Sequence, residues 1–241
     1  MAPRPWIIAH RGHSAAEVEN SLAALDRAID ARADAVECDV RMAGDGVLVV
    51  SHDADLQRLS GQAAAVADTP SDRLDALAQQ AGASVPRLTT LMAAARDRVP
   101  LMLDLKETAP RVIEAIADAV EMTAFDPAAL TVGLRSPGLV PYLRAALPGA
   151  RPLALNGSDM PLDAYLDQDV DLVRVWERMA NSPALDELKS RGCTVWVTTG
   201  GSGTGRAVGD ADLATLRVLL VAGADGMLVN DPDLGRRAAD G

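Results

Sequence analysis

Three histidines, His10, His13 and His52, and two short runs of alternating character, VECDV at 36–40 and LDLK at 103–106, hold the side chains of this 241-residue chain best suited to chemistry. In an extended chain successive side chains point to opposite faces. Glu37 and Asp39 therefore share one face, and Val36, Cys38 and Val40 share the other. Two carboxylates side by side on an otherwise apolar strand raise the electrostatic energy unless a cation or strong donors lie against them. Asp104 and Lys106 repeat the pattern, with Leu103 and Leu105 turned away. Cys38, on the apolar face, reads as a buried thiol with no catalytic part.

Collected on one face, His10, Arg11, Glu37, Asp39, His52, Asp104 and Lys106 make a definite chemical kit. Oxygen ligands alone suit a hard divalent cation, Mg²⁺ or Ca²⁺, whereas zinc or iron would enlist the imidazoles. A metal ion, the Arg11 fork and the Lys106 ammonium are parts that stabilise charge developing on phosphate oxygens. Two imidazoles free of the metal serve as general acid and general base, with the assignment between them left open. The expected partner is a small-molecule phosphodiester.

These side chains need a scaffold that brings distant strands together. Nine β-rich runs cross the chain: WIIAH, AVECDV, VLVVSH, LMLDLK, LTVGLR, RPLALN, DLVRVW, TVWVTT and GMLVND. Helix-period stretches fall between most of them, among them SLAALDRAIDAR behind Asn20 as N-cap and ADLATLRVLLVAG closed by Gly223. Such alternation implies parallel strands with helical crossovers. The link between AVECDV and VLVVSH is too short for a helix and carries Gly44-Asp45, a hairpin signal. The eight remaining runs fit a closed (β/α)₈ TIM barrel, with VLVVSH as an extra hairpin strand and no large insertion domain. With Gly44-Asp45 as a two-residue turn, Ala43 faces Gly46 and His52 lies across from Glu37. TTGGSGTGRAVG lacks the lysine of a phosphate-binding loop and reads as a long, mobile loop on the barrel's upper face.

Composition bounds the partners. The formal charge of −11 opposes nucleic acid and anionic membrane surfaces. No apolar run is long enough to span a bilayer, so no stable membrane insertion is expected, and the start lacks a signal-peptide pattern. Two cysteines without a disulfide framework fit a cytoplasmic protein. Residues 1–241 read as a single domain. Nothing in the composition sets an oligomeric state.

The motifs also resemble a known family. H-R-G at 10–12, E-N-S at 19–21, E-x-D at 37–39 and H-D-x-x-L-x-R-x-S-G at 52–61 together look like a glycerophosphodiester phosphodiesterase, and weaker similarity continues through VPRLTTL, DLK and GADGMLVNDPDL. The resemblance implies a (β/α)₈ barrel, a Mg²⁺ or Ca²⁺ ion held by Glu37, Asp39 and Asp104, and catalytic His10 and His52. It also implies phosphate binding by Arg11 and Lys106, a substrate-contacting Trp196, and a Glu19 that orients Arg11 or the ion. Three features depart from the family pattern. Asp104 stands where the family usually has Glu, a spacing shared with sphingomyelinase D-type phospholipases. His13 replaces a small residue and reads as an exposed loop histidine, and no insertion supplies substrate recognition. Trp6 and Trp176 read as structural. The alternatives are a lysophospholipase D or sphingomyelinase D-like enzyme, marked by an apolar rim, and a non-catalytic barrel that binds a phosphorylated ligand.

Overall fold

The computed structural model describes residues 4–155, 162–180 and 183–241. Met1 to Pro3 and Asn156, the last residue of the RPLALN run, lie outside them. Each of the nine expected runs matches one strand, with β2 running two residues past its run: β1 (Trp6–Ala9), β2 (Ala35–Met42), β3 (Leu48–Val50), β4 (Leu101–Leu105), β5 (Leu130–Leu134), β6 (Arg151–Leu155), β7 (Leu172–Trp176), β8 (Thr194–Thr198) and β9 (Gly226–Val229). Eight pair in parallel around a ring, which β1 closes by bonding both β9 and β2. Outside this ring, β3 pairs antiparallel with the far end of β2.

Strand parity divides the core. Outward residues such as Ile7, Val36, Cys38, Leu103, Val173 and Val197 pack against the helical layer. Inward residues at the lower levels, among them Ile8, Ala35, Met102, Leu153, Leu172 and Trp196, form an apolar plug. One step further along the same inward rows stand Glu37, Asp104, Arg174 and Thr198, all less than 9% exposed. The barrel is thus filled with hydrocarbon below and with charge at the carboxyl ends of its strands, where active sites of this architecture gather.

The hairpin carries a correction. Val40 pairs with Val50, Arg41 with Val49 and Met42 with Leu48, one position away from the expected register. The extra residue is Gly46, at φ 81°, which makes the turn three residues long. The ladder ends where Ser51 N donates to Asp39 O, so His52 is not strand-paired with Glu37. It reaches the mouth because the chain bends after β3, over a small satellite core of Val49, Leu56, Val66, Leu74 and Val85.

A second correction concerns Asn20. Ser21, not Asn20, caps helix Leu22–Asp30, its hydroxyl accepting from Ala24 N at 3.1 Å. That frees the Asn20 side chain for the barrel mouth.

Candidate functional site

A cavity of about 340 Å³ opens at the carboxyl ends of the strands, lined by His10, Arg11, Glu37, Asp39, His52, Asp104 and Lys106 together with Arg135, Arg174, Trp176, Thr198, Val208 and Leu228. The first seven are the set expected from the sequence, and strands β1, β2 and β4 with the β3 exit place them. Carboxylate oxygens of Glu37, Asp39 and Asp104 all lie within 4.8 Å of one another.

Asp39 is the most heavily compensated of the three. Lys106 Nζ lies 2.6 Å from its Oδ1, Arg11 Nε 3.1 Å from its Oδ2, and Asn20 Nδ2 donates to Oδ2 at 3.0 Å. Burial works against its charge, but Lys106 and Arg11 prevail and hold the carboxyl well below the usual range. Asp104 is held by Lys106 at 3.1 Å and by Arg135 at 2.6 Å. Glu37 accepts from Arg11 N at 2.8 Å. Burial, then repulsion from Asp39 and Asp104, pushes its pKa up to about 8. A cluster of oxygen donors whose most weakly compensated member resists ionisation fits a hard divalent cation, whose charge would supply the missing neutralisation.

The sign of the resulting pH dependence follows. Because the native Glu37 holds its proton to higher pH than the unfolded chain does, its contribution to stability falls as pH rises from about 4.5 to about 8. His10 acts oppositely and lower down. Burial, then Arg11, lowers its pKa from 6.5 to about 4, so its contribution rises across that window. Of these two groups only Glu37 acts above pH 6.5. Thermal melts of the cation-free protein should show Tm falling between pH 6.5 and 8, and Glu37→Gln should flatten that slope. A Tm that rises over the same window would contradict the assignment.

Both catalytic candidates are held through Nδ1. Asn230 Nδ2 donates to Val208 O at 2.9 Å and Asp210 Oδ1 at 2.8 Å, which turns Asn230 Oδ1 toward His10 Nδ1, 2.7 Å away. His10 therefore carries its proton on Nδ1 and presents an Nε2 lone pair. His52 Nδ1 lies 2.7 Å from Asp53 Oδ1, and Asp53 Oδ2 accepts from Arg58 Nε at 2.5 Å. Arg58 in turn grips Glu19 at 2.6 Å, and Glu19 accepts from Arg11 Nη1 at 3.2 Å. One chain of polar contacts thus links Arg11 to His52, with Glu19 bridging Arg11 and Arg58.

The Gly-rich segment after β8 belongs to this frame. Gly209, at φ 85°, packs so closely that an added Cβ would fall on Asn230 Oδ1 and lie 2.5 Å from His10 Nδ1. Gly209→Ala is expected to tilt the imidazole and cut turnover at least tenfold, with a much smaller change in Tm. Parental turnover in that variant would show that the Asn230 contact does not position His10. Far from reading as simply mobile, the segment is tied to the barrel. Gly200 N donates to Glu177 Oε2 at 2.7 Å, and Arg206 pairs with the same carboxylate.

Several placements differ from expectation. Trp196 faces inward but lies at the amino-terminal end of the barrel, 2% exposed and stacked on Trp6 with ring centroids 5.7 Å apart. Trp176 lines the mouth instead, with the Arg174 guanidinium 4.5 Å from its ring centroid. His13 is buried, not exposed, and its Nε2 lies 3.3 Å from Asp233 Oδ2. Cys38, by contrast, is buried on the outward face as expected, and burial pushes its thiol up. Sequence reasoning missed Asn20, Arg135, Arg174, Trp176, Thr198 and Asn230. The usable signal for most of them was a polar or aromatic residue on an inward row near a strand's carboxyl end.

The fold and the site define a class: a parallel barrel whose mouth gathers an acidic trio that could hold a metal ion together with guanidinium and ammonium groups. A family model, Glycerophosphoryl diester phosphodiesterase family, matches residues 10–234, and the chain belongs to that family. It is 53% identical over 60 residues to the "Probable glycerophosphodiester phosphodiesterase 1" of Mycobacterium tuberculosis, a match covering 25% of this chain and 22% of that protein. It is also 46% identical over 55 residues to the mouse lysophospholipase D GDPD3, covering 23% of this chain and 17% of that one. These matches therefore span about a fifth of the curated relatives' lengths. An Oleispira antarctica phosphodiesterase, solved with its product sn-glycerol-3-phosphate, superposes with a TM-score of 0.83 at 21% identity, covering 99% of this chain and 98% of that one. At that identity the likeness speaks for the fold.

Proposed function

We propose that this protein hydrolyses glycerophosphodiesters to glycerol 3-phosphate and an alcohol, residues 1–241 acting as one catalytic domain. The observation that carries the reading is the mouth itself: three converging carboxylates, the cationic Arg11 and Lys106 side chains and two imidazoles around one cavity. The family to which the chain belongs and the product held by the Oleispira protein agree with it.

Glu37, Asp39 and Asp104 would hold a Mg²⁺ or Ca²⁺ ion, which supplies Lewis acidity at a phosphoryl oxygen when bound. Arg11 and Lys106 grip the non-bridging oxygens and stabilise the charge that grows on them. His10 Nε2 takes the proton of the attacking hydroxyl, whether from water or from the substrate's neighbouring hydroxyl. The protonated His52, steadied by the Asp53 carboxylate, gives its Nε2 proton to the departing alcohol oxygen. Glu19 and Arg58 keep Arg11 and His52 in register.

The substrate of this reading is a small diester and not a lysolipid. Among the described residues the exposed large apolar side chains are Trp6, Val18, Met122, Tyr142, Val218 and Val221, and none lines the mouth. No helix among those residues is long and apolar enough to cross a membrane. Two unpaired buried cysteines suit a cytoplasmic setting. Glycerol 3-phosphate release from glycerophosphocholine and glycerophosphoglycerol, with and without added divalent ion, tests the proposal. Turnover that needs the ion is expected, and no release from any glycerophosphodiester overturns it.

A further inference from the structure

The reacting half of the cavity comes from β1, β2, β4 and the β3 exit, but β5, β7 and β8 contribute polar groups that the proposed hydrolysis leaves unused. Arg174 is 4% exposed. Its Nε and Nη1 are buried without a hydrogen-bond partner, and its ion pair among the described residues, with Asp104, spans 3.8 Å from Nη2. Thr198 Oγ1 is likewise buried and unpartnered. Both residues line the cavity, and the β7–β8 register places Thr198 beside Trp176, two positions along the inward row from Arg174. Arg135, just past β5, lines the same side and is 39% exposed at its side chain.

Burying a guanidinium with two unsatisfied nitrogens is costly unless a ligand completes it. The charge balance points to the ligand's sign. Four cations, Arg11, Lys106, Arg135 and Arg174, face three carboxylates around one cavity. A divalent ion adds further positive charge, which the single charge of a phosphodiester does not offset. Trp176 already holds a cation, the Arg174 guanidinium 4.5 Å from its ring centroid.

We infer that Arg174, Arg135 and Thr198 form a second anion subsite, which binds a carboxylate or phosphate group carried by one of the two alcohols of the diester. This rests on the phosphodiesterase reading and narrows its substrate class to diesters with an additional anionic group. The fork of Arg174 pairs with two oxygens of that group, and Thr198 Oγ1 donates to one of them. Arg135, held at Asp104, adds charge at the rim.

Two ligands isolate the subsite. Glycerol 3-phosphate and 3-phosphoglycerate differ by exchange of a hydroxymethyl group for a carboxylate. Calorimetric titration of the full chain, in chelator and low salt so that no metal bridges the carboxylate, should give at least tenfold tighter binding of 3-phosphoglycerate. Arg174→Gln should reduce that preference to within about twofold, and Thr198→Val, which preserves shape, should reduce it severalfold. Equal or weaker binding of 3-phosphoglycerate by the parental protein overturns the subsite, as does an undiminished preference in both variants. Hydrolysis supplies the second arm, with kcat/KM for the glycerate diester of glycerol 3-phosphate at least tenfold above that for glycerophosphocholine. Turnover of both without that preference refutes the subsite alone. If neither they nor glycerophosphoglycerol is hydrolysed, the phosphodiesterase reading fails, whatever the titrations show.

Discussion

His10→Ala and His52→Ala are each expected to lower kcat on glycerophosphodiesters by about 10²-fold or more, the scale for removing a positioned proton-transfer group. The structure makes the comparison clean. In His10→Ala the freed Asn230 Oδ1 keeps Ser14 Oγ within reach at 3.0 Å, sharing that hydroxyl's one proton with the residue-10 carbonyl at 2.8 Å. His52 is 38% exposed at its side chain, and truncating it leaves no cavity in the core. Divalent-ion affinity should stay within a few-fold in both variants, since neither imidazole belongs to the oxygen cluster. The double variant should lose far less than the product of the single losses, because the two groups act on one transition state. His13→Ala should leave kcat within a few-fold, its ring lying outside the cavity against Asp233. If either His10 or His52 variant keeps near-parental turnover on every diester, the two-histidine mechanism falls.

Stripping divalent ions should abolish turnover, and Mg²⁺ or Ca²⁺ should restore it. Glu37→Gln is the variant that separates metal loss from misfolding. It keeps the shape of the side chain, removes a carboxylate that burial already resists ionising, and should weaken ion affinity about 10- to 100-fold, with activity partly recovered at high ion concentration. Asp39→Ala is a harsher change. It strips the buried partner from Lys106 and Arg11, and breaking such a pair costs about 3–5 kcal/mol, so loss of fold is expected alongside loss of activity. Full turnover after exhaustive chelation would remove the metal from the mechanism.

Strand parity made much of this site legible. Period-2 alternation alone puts Glu37, Asp39, Asp104 and Lys106 on inward rows, because a pleated backbone leaves no other choice once Val36, Cys38, Leu103 and Leu105 are buried outward. What parity lacks is height. Trp196 and Thr198 share an inward row, yet one seals the amino-terminal end and the other lines the mouth. Height along the barrel depends on the stagger of tilted strands, a property of the closed ring and not of any one strand.

Local signals also competed. Asn20 is a good helix cap in isolation, but Ser21 serves that role as well, and only the folded barrel offers Asn20 the Asp39 carboxylate. Gly44-Asp45 looks like a two-residue turn. Gly46, with its tolerance of positive φ, adds a third residue and shifts the ladder by one.

The sequence by itself determined the nine strands, their inward and outward faces, the acidic trio and the family, since each is written in local periodicity or in contiguous motifs. Tertiary structure alone decided the gathering of Arg135, Arg174, Trp176 and Thr198 opposite the reacting groups, and the fastening of His10 by Asn230 from the other end of the chain. Those contacts join residues from separate strands, and the energy that selects them, the pairing of buried charge across a closed barrel, exists only once the ring has formed.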